Sequence, residues 1–74
     1  MDKEDVLRSL RGLQKKHGES FAIKLKYRTT NGKLKKRHGD FVELIGEEEL
    51  ILFNPDKGKN GRYLLDYVEH ISKK

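Results

Sequence analysis

The chain has 74 residues, no cysteine, and a net charge of +5 from 17 Lys and Arg against 12 Asp and Glu. That length leaves room for one domain with one core of modest burial, and the lack of cysteine excludes a disulfide framework and a thiolate metal site. The opening residues MDKEDVLRSL lack the basic start and apolar run of a secretory leader, and no stretch approaches the roughly 18 apolar residues of a membrane span, so residues 1–74 are expected to form a single cytoplasmic domain that engages no membrane.

Asp2 or Asp5 is placed to cap a helix over about residues 3–17. Its apolar positions Val6, Leu7, Leu10 and Leu13 follow the helical period, and Lys15, Lys16 and His17 sit near its negative end. Gly18 stops it. Gly12 within the run costs about 1 kcal/mol relative to Ala, so the helix depends on docking, which places it across a sheet.

From Phe21 the period becomes two: Phe21, Ile23, Leu25 and Tyr27 alternate with Ala22, Lys24, Lys26 and Arg28, the pattern of a half-buried strand. Asn31-Gly32 tolerates the positive φ angles of a tight hairpin turn, so the chain reverses there and returns through residues 33–38, which are nearly all basic. Gly39-Asp40 breaks the pattern. Residues 41–45 read as a third strand, turned by Gly46-Glu47-Glu48 into a fourth over 49–53. Both carry apolar residues on both faces, as in central strands covered by a helix or bent around a small barrel. NPDKGKNG at 54–61 reads as an exposed loop, the most mobile region. Residues 62–65 read as a fifth strand, and DYVEHI at 66–71 as its continuation or a closing turn that places Tyr67 or Val68 and Ile71 on the core. The tail 72–74 is expected to fray.

Charge is unevenly spread. Residues 21–40 hold seven bases (Lys24, Lys26, Arg28, Lys33, Lys35, Lys36, Arg37) against one acid, Asp40, whereas residues 41–61 hold five acids and two bases. Bases clustered on a sheet neutralise phosphates and release counterions, giving affinity without sequence choice. The plain alternative is a solvated face, or an edge strand that lysines keep from aggregating. Tyr27 is in phase with the core, so among the three tyrosines Tyr63 is the better surface for stacking an unpaired base, and Arg62, with Lys57 and Lys59, extends the basic surface if the loop folds toward the hairpin. GKNG is no phosphate loop, since no Gly-x-x-x-x-Gly-Lys-Ser/Thr is present. His17, His38 and His70 match no ligand spacing and the serines have no partner triad, so neither a catalytic site, a metal site nor a cofactor is expected. Glu47, Glu48 and Glu49 read as a solvated turn, because an extended run cannot aim every carboxylate at one ion.

Three stretches, IKLKYRTTNGKLKKR, FVELIGEEELILFNPDKG and GRYLLDYVEHI, taken in order after an N-terminal helix, resemble the WYL domain, a Sm-like small barrel of Src-homology-3 architecture found in bacterial transcription regulators. The Trp-Tyr-Leu tripeptide that names the family is absent; Leu50-Ile51-Leu52 stands in its place. The resemblance implies a nucleotide- or nucleic-acid-binding barrel, with Tyr27, Arg28, Arg37 and Arg62 as the positions that carry over as anion contacts.

The combined reading is a mainly β (α+β) domain, an N-terminal helix followed by a five-stranded antiparallel Sm-like barrel. It is expected to act as a non-catalytic module that binds nucleic acid, DNA or RNA, or another polyanion on its basic hairpin. A protein-interaction or self-associating module is the rival, marked by an exposed apolar surface near Leu50, Leu52 and Leu64. A sensor of anionic nucleotides is a third reading, which requires a concave pocket lined by Arg28, Arg37 or Arg62.

Overall fold

The computed structural model describes residues 2–18 and 20–74. Helix α1 (Lys3–His17) opens on Asp2, whose side chain accepts from the Asp5 backbone N–H at 2.9 Å, and closes on Gly18, at φ 73°. Asp2 is therefore the cap. Val6, Leu7 and Leu10 are buried, and α1 lies against the C-terminal end of the chain.

Strands β1 (Ala22–Arg28), β2 (Leu34–Ile45), β3 (Glu49–Asn54), β4 (Lys59–Leu64) and β5 (Val68–Lys73) form one antiparallel sheet in the order β4-β3-β2-β1-β5, with a 3-10 turn, Leu65–Tyr67, between β4 and β5. The mainly β architecture with one N-terminal helix is as expected, but the sheet is not a closed barrel. β4 and β5 are its two edges. The 3-10 turn carries the chain from one edge to the other, and the gap is bridged by side chains, Tyr27 of β1 against Tyr63 of β4 with ring centroids 5.5 Å apart, instead of by a backbone ladder.

The five strands are divided differently from the sequence reading. The second and third expected strands are one, β2, which pairs with β1 through Leu34 to Asp40 and with β3 through Asp40 to Ile45. Between these halves it bends at a bulge, where the register shifts between Phe41 and Glu43. Gly39 permits the bend because the neighbouring strand comes so close: a Cβ there would lie 2.6 Å from the Phe53 carbonyl oxygen. What reads as a break is a bend.

Three further expectations are corrected. The β1–β2 turn is not built on positive φ at Asn31. The Gly32 N–H donates to the Thr29 carbonyl at 2.9 Å and the Thr29 N–H to that of Lys33 at 2.8 Å, and Gly32 alone is left-handed, at φ 79°. Residues 54–61 are mostly structured: Asn54 accepts from the Gly58 N–H at 2.8 Å and its side chain from the Asp56 N–H at 2.9 Å, closing a tight turn after which β4 starts at Lys59. The tail is paired, since β5 runs to Lys73 and the Lys74 N–H donates to the Ala22 carbonyl at 3.0 Å.

The core lies between α1 and the inner face of the bent sheet. Val6, Leu7 and Leu10 meet Phe21, Ile23 and Leu25 of the first hairpin arm, Leu50 and Leu52 of β3, and Leu65, Val68 and Ile71 of the closing segment. Of the closing residues, Val68 and Ile71 are thus the core positions and Tyr67 stays exposed.

Candidate nucleic-acid interface

Strand alternation sorts the basic hairpin onto two faces. Leu25 faces Arg37 and Tyr27 faces Lys35 across the ladder, so Arg37 and Lys35 lie on the inner face; the Arg37 guanidinium stands 5.6 Å from the Tyr27 ring centroid. Lys24, Lys26 and Arg28 point outward, as do Lys36 and His38. β5 completes the outer face: His70 is opposite Lys26 and Ser72 opposite Lys24.

These residues wall a cleft of about 470 Å³ lined by Lys24, Lys26, Lys36, His38, His70 and Lys74, with Leu25 and Arg37 also on its lining. Every position beside the β1 lysines is basic or neutral. Lys26 lies between Lys36 and His70, and Lys24 between His38 and Ser72. Among the described residues none of Lys24, Lys26, Lys36 or Lys74 has a carboxylate partner; the cleft's acid contact is made to His38, whose Nε2 lies 3.1 Å from an Asp56 oxygen, and Asp40 shares the outward face opposite Ala22. Asp56 arrives because the β3–β4 turn folds toward the hairpin, and it brings an acid to a surface that Lys57 and Lys59 were expected to extend.

The remaining candidates are spread out. Arg28, at the end of the outward row, donates through Nε to Glu69 at 2.9 Å, and that hydrogen bond holds the Glu69 carboxyl below its ordinary pKa. Lys33 is exposed on the turn, its backbone N–H donating to Thr29 Oγ1 at 3.2 Å. Arg62 is not part of the basic face: on β4 it donates twice to Glu49 Oε2, at 2.9 and 2.6 Å. Tyr63 faces the core side opposite Leu50, and burial pushes its phenol pKa up. The structure therefore brings together Lys24, Lys26 and Lys36, with Arg37 at the same cleft although its guanidinium stands over Tyr27, and separates Lys35, Arg62 and Tyr63 from them. His38, His70 and Lys74 complete the cleft. The outward parity of His38 with Lys36 is readable in the sequence, whereas His70 and Lys74 arrive only through the β1–β5 register.

β1 and β2 are interior strands, so lysines guarding an exposed sheet edge do not account for this row. Comparison with protein-family models, with curated proteins and with solved structures finds no match to this chain. Among the described residues, no helix is long and apolar enough to cross a membrane.

Proposed function

We propose that the chain is a non-catalytic module that binds nucleic acid through the outer face of β1, β2 and β5. The observation that carries this reading is a cleft lined by four lysines, two histidines and Arg37, in which Lys26 faces Lys36 and, among the described residues, no carboxylate pairs with any of the four lysines. Holding like charges together costs stability, and phosphates on an extended polyanion relieve that cost. The test is affinity for short oligonucleotides against salt. Each phosphate neutralised contributes about 0.9 to the slope of log affinity on log salt for duplex DNA and about 0.7 for single strands, so contacts from Lys24, Lys26, Lys36 and Lys74 give a slope of roughly −3. Salt-independent binding, or none at low salt, rejects the reading.

A protein-interaction or self-association role is favoured by a different surface. On the outer side of β2, β3 and β4, Val42, Ile45, Phe53 and Leu64 are 44%, 41%, 36% and 47% exposed. These are the side chains a partner would cover, with Glu49 between Ile45 and Leu64 and with Phe53 between Asp40 and Asn60; Leu50 and Leu52, expected to share the surface, are buried in the core. Concentration-dependent sedimentation that does not respond to oligonucleotide would support this role over the first.

A further inference from the structure

All three tyrosines of the chain converge on a second cleft, of about 210 Å³, at the seam where the sheet stays open. Tyr27 and Tyr63 meet edge to face at 5.5 Å in its wall, and the Arg37 guanidinium stands 5.6 Å from the Tyr27 ring centroid. Tyr63 is seated over Gly61, where a Cβ would lie 2.7 Å from its hydroxyl, so the missing side chain makes the room its ring occupies. Tyr67, presented by the 3-10 turn, stands 50% exposed and pairs with no ring among the described residues.

The rim is charged but already matched. Arg28 is held by Glu69 and Arg62 by Glu49, so the cleft suits a planar, largely apolar group better than a phosphate. The outward row Lys24, Lys26, Arg28 repeats about every 6.6 Å along β1 and ends at this rim, because Arg28 lines the tyrosine cleft as well. A strand whose phosphates follow the row reaches the cleft with a base to place.

Resting on the reading of the basic face, we propose that the tyrosine cleft takes an unpaired base, stacked on Tyr67, and makes the module selective for single strands. Base–aromatic stacking is tolerant of sequence and is lost on alanine substitution. The test uses fluorescence polarisation at low salt with a labelled oligothymidine of about ten nucleotides, within the site sizes of small single-strand-binding folds, an abasic strand of equal length, and thymidine monophosphate. The wild-type protein binds oligothymidine about ten-fold more tightly than the abasic strand. Tyr67→Ala removes that difference and Tyr67→Phe keeps it, while neither changes abasic binding. Equal affinity for the two strands, or an unaltered preference in Tyr67→Ala, overturns the proposal, and salt-dependent abasic binding in that case leaves the basic-face reading standing. If neither strand binds, both fall. Monophosphate binding as tight as the strand overturns the strand proposal by making the cleft a mononucleotide site.

Discussion

Lys26 and Lys36 are directly opposed on adjacent strands, which gives the basic face a measurable cost. Like charges in this position are destabilising and opposite charges stabilising, each by about 0.2–1 kcal/mol. Two unit charges roughly 7 Å apart in water interact by about 0.6 kcal/mol. Lys36→Glu removes one repulsion and adds one attraction of that size, so the variant gains about 1 kcal/mol, or roughly 4–8 °C in Tm for a domain of this length. Thermal unfolding at low salt measures the gain, and the same melt at about 1 M salt, where the screening length is about 3 Å, abolishes most of it. Lys33→Glu is the control: it changes the net charge equally, but Lys33 lies on the turn, outside the β1–β2 ladder. Affinity for oligonucleotides moves the other way, with the salt slope falling by about 0.7–0.9 for the lost phosphate contact. A gain no larger than that of Lys33→Glu, or one that survives high salt, refutes the electrostatic argument. A more stable Lys36→Glu that binds oligonucleotides like the wild-type protein refutes the assignment of the face as the contact surface.

Four other outcomes follow from local geometry. Gly12 is exposed mid-helix with open space where a Cβ would be, so Gly12→Ala raises stability by about 1 kcal/mol in urea denaturation and leaves oligonucleotide affinity unchanged. Gly39→Ala forces a methyl against the Phe53 carbonyl, and chemical denaturation should show a loss of about 1–3 kcal/mol. Arg28 depresses the Glu69 carboxyl, so the pair's contribution is complete above the unfolded carboxylate pKa and is lost as pH falls through the lower folded value; Glu69→Gln flattens the stability profile in that acid range. His17, lowered chiefly by burial, acts in the same direction at higher pH: its contribution is present above the ordinary imidazole value and lost as pH falls through the depressed one, and His17→Gln removes that step.

The helix and the first strand were legible because each carries one clean period. Val6, Leu7 and Leu10, then Phe21, Ile23 and Leu25, are buried as their spacing requires. β2 was not, because its glycine serves a close approach between strands, and proximity to the Phe53 carbonyl is set by a partner fourteen residues away in the chain. The same limit applies to the site. Alternation places Lys24 and Lys26 together on one face and puts Lys35 and Arg37 on the opposite face from Lys36, but reading the hairpin as one basic surface merges the two. His70, Lys74, Asp56 and Tyr67 come from the last third of the chain, and their places depend on the β5 register, the β3–β4 turn and the 3-10 turn. No local pattern encodes these.

The acids explain why the cleft keeps its charge. Glu47 and Glu48 lie in an exposed turn, as expected, and Glu49 opens β3; each also holds a different cation, Arg11 at 3.1 Å, Lys3 at 3.2 Å and Arg62 at 2.6 Å. Two of those cations belong to α1, so the run fastens the helix to the β2–β3 turn, and Glu69 is engaged with Arg28. These pairs are surface contacts that add little to stability. Their larger effect is on distribution, because Glu47, Glu48 and Glu49 are committed to the helix and β4, and Glu69 to Arg28 at the end of β1, and none of them pairs with Lys24, Lys26 or Lys36. Hydrophobic burial alone would not require this, since outward positions on interior strands accept either sign of charge. A domain selected only for solubility would gain from interleaving acids with Lys24, Lys26 and Lys36. The arrangement instead concentrates positive potential on one face of the sheet, with an aromatic cleft at the end of the row, and a polyanion carrying bases is complementary to both.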